Sequence, residues 1–368
     1  MNKTPLNDKH RELNAKMVDY AGWDMPVQYE GIPAEVNAVR NHVGIFDVSH
    51  MGELRLRGPG VEAFLDWALT RPISNRREDS TSYAILCYED GGVVDDLLVY
   101  QLGENDYFLV VNAANKDKDF AYFKEIIPQW KAANPEAGEV EITDESALYA
   151  QVAVQGPEAM ALVEKTLPEL GYAELVEAVL ALRPFRRLLH DVPGEEAKLI
   201  ISRTGYTGED GVEIYLPPCL APKFWDALVK NGAIPAGLGA RDALRLEAGM
   251  PLYGHEMSQE INPLDANMGF AVKFDRPFLG EKMRENHKRK LIALISEGRG
   301  IGREGYEVYH NDEKVGFLTS GSFSPTLEKG IAFAMVDLDF PEDVKEVEVQ
   351  IRKKRQAYEV VQAPFVKK

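Results

Sequence analysis

The end of the chain limits its fold most. From about residue 285 six short apolar runs follow one another, at 291–296, 306–310, 314–319, 331–338, 347–351 and 358–361. No long helix separates them. Short strands at near-regular spacing, with no helical crossover, can bury their apolar faces only against each other. That pattern predicts an all-β domain, barrel or sandwich. A basic polar break, His287-Lys288-Arg289-Lys290, precedes it. The expected division is therefore residues 1–284 and residues 285–368.

The first part mixes both periodicities. Residues 61–70 read as a helix after the Gly58-Pro59-Gly60 turn. Residues 115–133 read as a longer one, with Phe120, Phe123, Ile127 and Trp130 on one face. Pro128 is expected to kink it or end its first part. Further helices are expected at 157–167, 222–229 and 242–249, the last with Arg241 at its start. Strands 83–88 and 93–101 flank Glu89-Asp90-Gly91-Gly92, a hairpin composition. Others are expected at 107–112, 199–202 and 212–216. Helices and strands interleave without regular alternation, so the class is α+β, and 368 residues leave room for two or three domains.

Several function classes drop out. A net charge of −17 opposes general nucleic-acid or anionic-membrane binding. Two cysteines, Cys87 and Cys219, cannot build a disulfide framework or a structural zinc site. The first residues lack the apolar run of a signal peptide, and no stretch approaches the roughly 20 apolar residues of a membrane span. A cytoplasmic setting is expected. Gly300-Ile301-Gly302-Arg303-Glu304-Gly305 fits the dinucleotide string, but a strand-like segment follows where a helix is needed, so a plain loop is expected. There is no P-loop, no G-x-S-x-G elbow and no H-E-x-x-H spacing, since His255-Glu256 lacks the second histidine. Metal, P-loop and serine-hydrolase chemistry are unsupported.

Three features can carry chemistry. The first is Val93-Val94-Asp95-Asp96-Leu97-Leu98-Val99-Tyr100. Side chains alternate along a strand, so one of the two carboxylates sits among apolar neighbours whichever face is the core. Burying a carboxylate is costly unless it has partners or a proton. The pair either marks a site or merely starts the strand beside the hairpin turn. The second runs from Ser202 to Tyr215, with glycines at 205, 208 and 211 that let a loop approach a ligand closely. Glu213 follows in a strand, where its two oxygens suit a planar N–H edge. Aminopyrimidine-type heterocycles present such an edge, and so does an arginine such as Arg203. The third is Gly237-Leu238-Gly239-Ala240-Arg241-Asp242. A cation at a helix start opposes the helix dipole, so Arg241 is either functional or a surface arginine paired with Asp242 or Glu209.

Together these segments resemble a known family, the aminomethyltransferases (T-proteins) of the glycine cleavage system. The resemblance runs nearly end to end. It rests on Thr4-Pro5-Leu6, Asp19-Tyr20-Ala21-Gly22-Trp23, Gly44-Ile45-Phe46-Asp47-Val48-Ser49-His50-Met51-Gly52-Glu53 and Gly91-Gly92-Val93-Val94-Asp95-Asp96. It continues through Val111-Asn112-Ala113-Ala114-Asn115, the 202–213 loop, the 237–245 segment, Met250-Pro251-Leu252-Tyr253-Gly254 and Ser324-Pro325-Thr326-Leu327. The resemblance implies a three-domain cloverleaf around a central folate channel, with a C-terminal β-barrel domain.

It also implies a reaction. An aminomethyl group on the lipoyl arm of H-protein passes its one-carbon unit to tetrahydrofolate, with no metal. Asp96 matches the catalytic position. Glu213 matches the pterin-gripping glutamate, and Arg241 a folate-contact arginine. Tyr83, Met51, Tyr100, Asn112 and Tyr206 match positions lining the channel. Family members often extend past the final Pro-Phe, so Lys367 and Lys368 are left outside the site. A folate-dependent demethylase and a non-enzymatic folate-binding factor are the alternatives within the superfamily. The expected partner is lipoylated H-protein. Its docking is expected at a local basic patch such as Arg352-Lys353-Lys354-Arg355, unless that run is a solvated strand edge.

Overall fold

The six runs beyond residue 285 close on one another. In a computed structural model covering residues 1–368, they form a closed antiparallel barrel. The order around it is Arg289–Ser296, Lys329–Asp337, Glu313–Ser324, Glu307–His310, Glu346–Ile351, Lys354–Val361 and back to the first. Alternation sets the lining: Ala332, Ala334 and Val336 point inward with Leu294, Leu318, Val349 and Tyr358. The strand expected at 314–319 extends to Ser324. Its register slips between Leu318 and Ser320, and this bulge interrupts the alternation that would have revealed its length. The glycine-rich string at 300–305 is a loop, as its strand-like sequel requires. It folds onto the barrel, where Gly302 N–H donates to the Tyr358 hydroxyl at 2.8 Å. A Cβ on Gly302 would stand 2.4 Å from Leu318 Cδ1, so any larger residue must push that buried methyl aside.

The chain divides into two compact units. The first comprises Met1–Asp66, Ile73–Tyr83 and Leu97–Arg241. The second comprises Trp67–Pro72, Ala84–Asp96 and Asp242–Lys368. In the second unit a further apolar layer on the barrel strands, with Ala293, Phe333 and Met335, packs against Leu246, Ile261 and Phe365. No helix is long and apolar enough to cross a membrane.

The first unit is built on a six-stranded sheet. Its order is Arg187–His190, Leu199–Ser202, Gly211–Leu216, Ala150–Gln155, Gly44–Asp47 and Ile234–Pro235, antiparallel except for the last pair. Helices Ala159–Leu170 and Ala221–Lys230 cover one face, burying Val152, Val154, Ile201 and Ile214 beneath Leu162, Phe224 and Trp225. The opposite face contributes Ile200 and Tyr215 to an aromatic cluster with Tyr100, Phe108 and Tyr149. A five-stranded sheet runs Thr81–Cys87, Val93–Gly103, Asp106–Val111, Gly52–Arg57 and Glu141–Asp144.

Helix Lys116–Ala133 continues through Pro128 instead of ending there. Pro128 is exposed, so the carbonyl that loses its N–H partner faces water. The buried stripe is Phe123, Ile126 and Trp130, with Phe123 and Trp130 edge-on to Phe64 at 6.1 and 5.5 Å. The last helix of the first part begins earlier than expected, at Leu238, and makes Arg241 its fourth residue.

Candidate functional site

The register of the six-stranded sheet brings the site's polar groups together. Ser202 pairs directly with Glu213 across neighbouring strands, and Gln151 stands opposite Tyr215 on the other side. Glu213 is buried, 5% exposed, in the middle of its strand. Its Oε2 accepts from the Thr204 hydroxyl at 2.5 Å and its Oε1 from Gln151 Nε2 at 3.2 Å. Burial pushes its pKa up, while Thr204, the Arg241 charge and Gln151 pull it back. The salt bridge to Arg203 does not form. Arg203 instead grips Asp210 with two hydrogen bonds, at 2.6 and 3.0 Å.

The loop from Thr204 to Asp210 is fixed by a second polar group. Gln155 Nε2 donates to the Thr204 carbonyl at 3.1 Å, and the Thr207 hydroxyl donates to Gln155 Oε1 at 2.8 Å. The close approach that needs Gly205 is to this side chain. A Cβ there would lie 1.9 Å from Gln155 Oε1. The loop thereby presents Tyr206 beneath Arg241, whose guanidinium carbon lies 5.0 Å from the ring centroid.

Arg241 takes neither of the carboxylate partners weighed for it. Glu209 pairs with Arg40 at 2.8 Å, and Asp242 pairs with Arg245 at 2.9 Å. Arg241 Nη1 is buried without a hydrogen-bond partner. A buried, unsatisfied guanidinium donor is costly, and an acceptor supplied by a ligand removes that cost. His50 shares this environment. It is buried, with Nδ1 unpartnered and its ring edge-on to Tyr20 at 5.4 Å. Burial lowers its pKa to about 4, against the pull of Asp47 and with help from the Arg241 charge, so the imidazole is neutral at pH 7. Asp47 is committed elsewhere, accepting from the Thr4 hydroxyl at 2.6 Å and lying 2.8 Å from His10 Nε2.

The remaining expected residues fall as follows. Tyr100 is buried, with its hydroxyl 3.0 Å from that of Tyr215, and burial raises its pKa. Met51 is half-buried against the same aromatic cluster. Asn112, just past the Asp106–Val111 strand, accepts at its carbonyl from the Asn115 and Lys116 N–H groups in the turn that leads to helix Lys116–Ala133. Tyr83 is half-buried on the Thr81–Cys87 strand. The first unit thus holds Glu213, Arg241, Tyr83, Met51, Tyr100, Asn112 and Tyr206. Asp96 belongs to the second unit. Of the carboxylate pair, Asp95 is the fully buried member and Asp96 is half-buried.

Reading residue types alone overlooked Thr204, Gln151, His50 and Glu53. Thr204 and Gln151 became visible only with the strand register. Glu53 lies two residues beyond Met51, opposite Val110. Both its oxygens are buried without a hydrogen-bond partner, and burial raises its pKa well above the ordinary carboxylate value.

Comparison with known proteins identifies the family. Residues 6–276 match the GCVT N-terminal domain family, and residues 289–367 match the glycine cleavage T-protein C-terminal barrel domain. An aminomethyltransferase of Geobacillus kaustophilus is 45% identical over 379 residues, covering 100% of this chain and 99% of that protein. One from Alkaliphilus oremlandii is 44% identical over 375 residues, covering 99% and 97%. The crystal structure of glycine cleavage system aminomethyltransferase T from Bartonella henselae superposes with a TM-score of 0.86 at 30% identity, covering 99% of this chain and 98% of that one. This chain therefore belongs to the aminomethyltransferase family of the glycine cleavage system, the T-proteins, and is an enzyme of the transferase class.

Proposed function

We propose that the chain transfers the one-carbon unit of aminomethyl-dihydrolipoyl H-protein to tetrahydrofolate. The products are 5,10-methylenetetrahydrofolate, ammonia and dihydrolipoyl H-protein. The methylene leaves sulfur and amine and becomes bonded to two folate nitrogens. The two N–H protons of the folate pass to the sulfur and the departing amine, so no oxidant is needed. Family membership supports the reaction class, and one observation supports the substrate. The buried Glu213 carboxylate, steadied by Thr204 and Gln151, lies in the field of Arg241 with its unsatisfied Nη1. A planar heterocycle that offers adjacent N–H donors and an acceptor complements both groups.

The residues divide the work. Glu213 receives the N–H edge of the pterin. Arg241 answers an acceptor of the folate, and Tyr206, Tyr83, Met51, Tyr100 and Asn112 line its channel. Asp96 is the catalytic carboxylate. It stabilises the positive charge that develops on the activated methylene and orients the attacking nitrogen. The reaction is set in the cytoplasm, and both cysteines are free thiols, as a reducing compartment would keep them.

The test is ammonia release from aminomethylated H-protein with and without tetrahydrofolate. Strong stimulation by folate is expected, and its absence overturns the reading. In the same assay Asp96→Asn loses most turnover while holding folate affinity within a few-fold. Near-normal turnover removes Asp96 from the catalytic role.

A further inference from the structure

Residues 182–187 gather charge against the trend of the chain, which carries −17 overall. Arg183 is exposed and unpaired. Backbone hydrogen bonds set Arg203 beside it: Arg203 N–H donates to the Arg186 carbonyl at 2.8 Å, and Phe185 N–H donates to the Arg203 carbonyl at 3.0 Å. Arg77 joins through Asp79, whose Oδ1 lies 3.2 Å from Arg77 Nε and 3.2 Å from Arg186 Nη1. One carboxylate is thus shared by two guanidiniums and neutralises only one of them.

Phe185 sits in the middle of this cluster. It is 51% exposed, and its backbone is left-handed at φ +57°. A bulky residue adopts that conformation only under constraint. The constraint is visible: Phe185 N–H is held by Arg203, and Thr81 N–H donates to the Phe185 carbonyl at 2.9 Å. The chain holds an aromatic ring out into water, on a strained backbone, among arginines. Aromatic and arginine side chains together are what protein interfaces enrich at their centres.

We propose that Phe185, with Arg183, Arg186 and Arg77, is the docking surface for an acidic protein, while Arg203, its charge matched by Asp210, holds the Phe185 backbone in place. Resting on the function proposed above, that protein is the lipoylated carrier that delivers the aminomethyl group. A chain this acidic repels an acidic partner in bulk, so encounter needs a local cationic surface. The surface is also tied to the ligand-binding carboxylate by hydrogen bonds. Thr81, which holds the Phe185 carbonyl, places its hydroxyl 3.3 Å from that of Ser202. Ser202 lies 3.1 Å from the Thr204 hydroxyl, which bonds Glu213. The basic hairpin at 352–355 is a poorer candidate. It exposes Arg352, Lys353 and Lys354 but no aromatic ring among them, since Tyr309 lies under Arg355 at 3.9 Å.

The experiment uses the full chain with lipoylated H-protein as the probe. Arg183→Glu is expected to raise KM for aminomethylated H-protein by about tenfold at saturating tetrahydrofolate, with kcat unchanged. It should also flatten the rise of KM with salt. Phe185→Gly relieves the left-handed strain, so it folds, and it is expected to raise KM several-fold. Tetrahydrofolate affinity by calorimetry should not move in either variant. Unchanged KM in both variants overturns the proposal, and so does an equal loss in Lys353→Glu on the barrel hairpin. Absence of folate-stimulated ammonia release in the wild type defeats the reaction instead. Direct calorimetry of H-protein binding to wild type and variants then still decides the docking surface.

Discussion

The Thr204 hydroxyl donates to Oε2 of Glu213 across 2.5 Å, which leaves Gln151 to serve Oε1 at 3.2 Å. The carboxylate is thereby held with its charge partly balanced and its position fixed before any ligand arrives. Glu213→Gln replaces one acceptor with a donor that faces a donor. It is expected to weaken tetrahydrofolate binding by at least about tenfold in calorimetry. Thr204→Val keeps the carboxylate but removes its closest donor, so a smaller loss that grows toward acid pH is expected. Unchanged affinity in Glu213→Gln would exclude the carboxylate from the site.

Arg241 influences His50 through charge alone. Replacing Arg241 with leucine removes a positive neighbour that helps keep the imidazole deprotonated. The His50 titration, followed by NMR, should move up from about 4. Arg241→Lys keeps the charge, so the titration should stay. The same variant loses the guanidinium over Tyr206 and its unsatisfied Nη1 donor, and folate affinity should fall. A His50 titration that ignores Arg241→Leu would break this electrostatic link.

In the second unit Arg245 is buried against Glu256 at 2.9 Å, with Ser320 and the Met250 carbonyl as further acceptors. Glu256 also accepts from the Thr319 hydroxyl at 2.6 Å. Removing one partner of a buried pair strands the other. Arg245→Met is expected to cost about 3–5 kcal/mol, read as a lower urea midpoint. Adding Glu256→Gln should recover part of that loss.

Stability should depend on pH through two buried groups of opposite sign. Glu53 binds its proton more tightly in the folded state than at its ordinary value of 4.5. Its contribution is fully present below that value and is lost as pH rises through the raised folded pKa. Thermal melts should show Glu53→Gln gaining on the wild type as pH climbs. His50 runs the other way. Its folded pKa of about 4 lies below the ordinary 6.5, so its contribution is present above 6.5 and is lost as pH falls toward 4. His50→Gln should blunt that acid loss.

The barrel was legible because its strands are short, regular and uninterrupted by helices. The Glu213 and Arg241 segments were legible as odd residues in regular settings. What stayed hidden was set by pairing. Ala150–Gln155 is buried along its whole length, so it lacks the alternation that marks a half-exposed strand. Thr204 reaches Glu213 because Ser202 pairs with it, and Gln151 because its strand pairs with the other edge, registers that no local pattern encodes. Pro128 misled because its position on the solvent side, which makes it tolerable, is a property of packing. The resemblance named candidate residues for the site but could not say which of them the chain itself already holds in place.

The division of the chain has a consequence for synthesis. Trp67–Pro72 and Ala84–Asp96 leave the ribosome long before Asp242, yet they belong with the C-terminal segment. At elongation rates of about 5–20 residues per second the intervening stretch takes roughly 7–30 s to appear. During that interval a nascent hairpin carrying Ala84, Ile85, Leu86, Val93 and Val94, all destined for full burial, has none of its C-terminal packing partners. Those apolar residues therefore wait, unpacked, for the last part of the chain to be made.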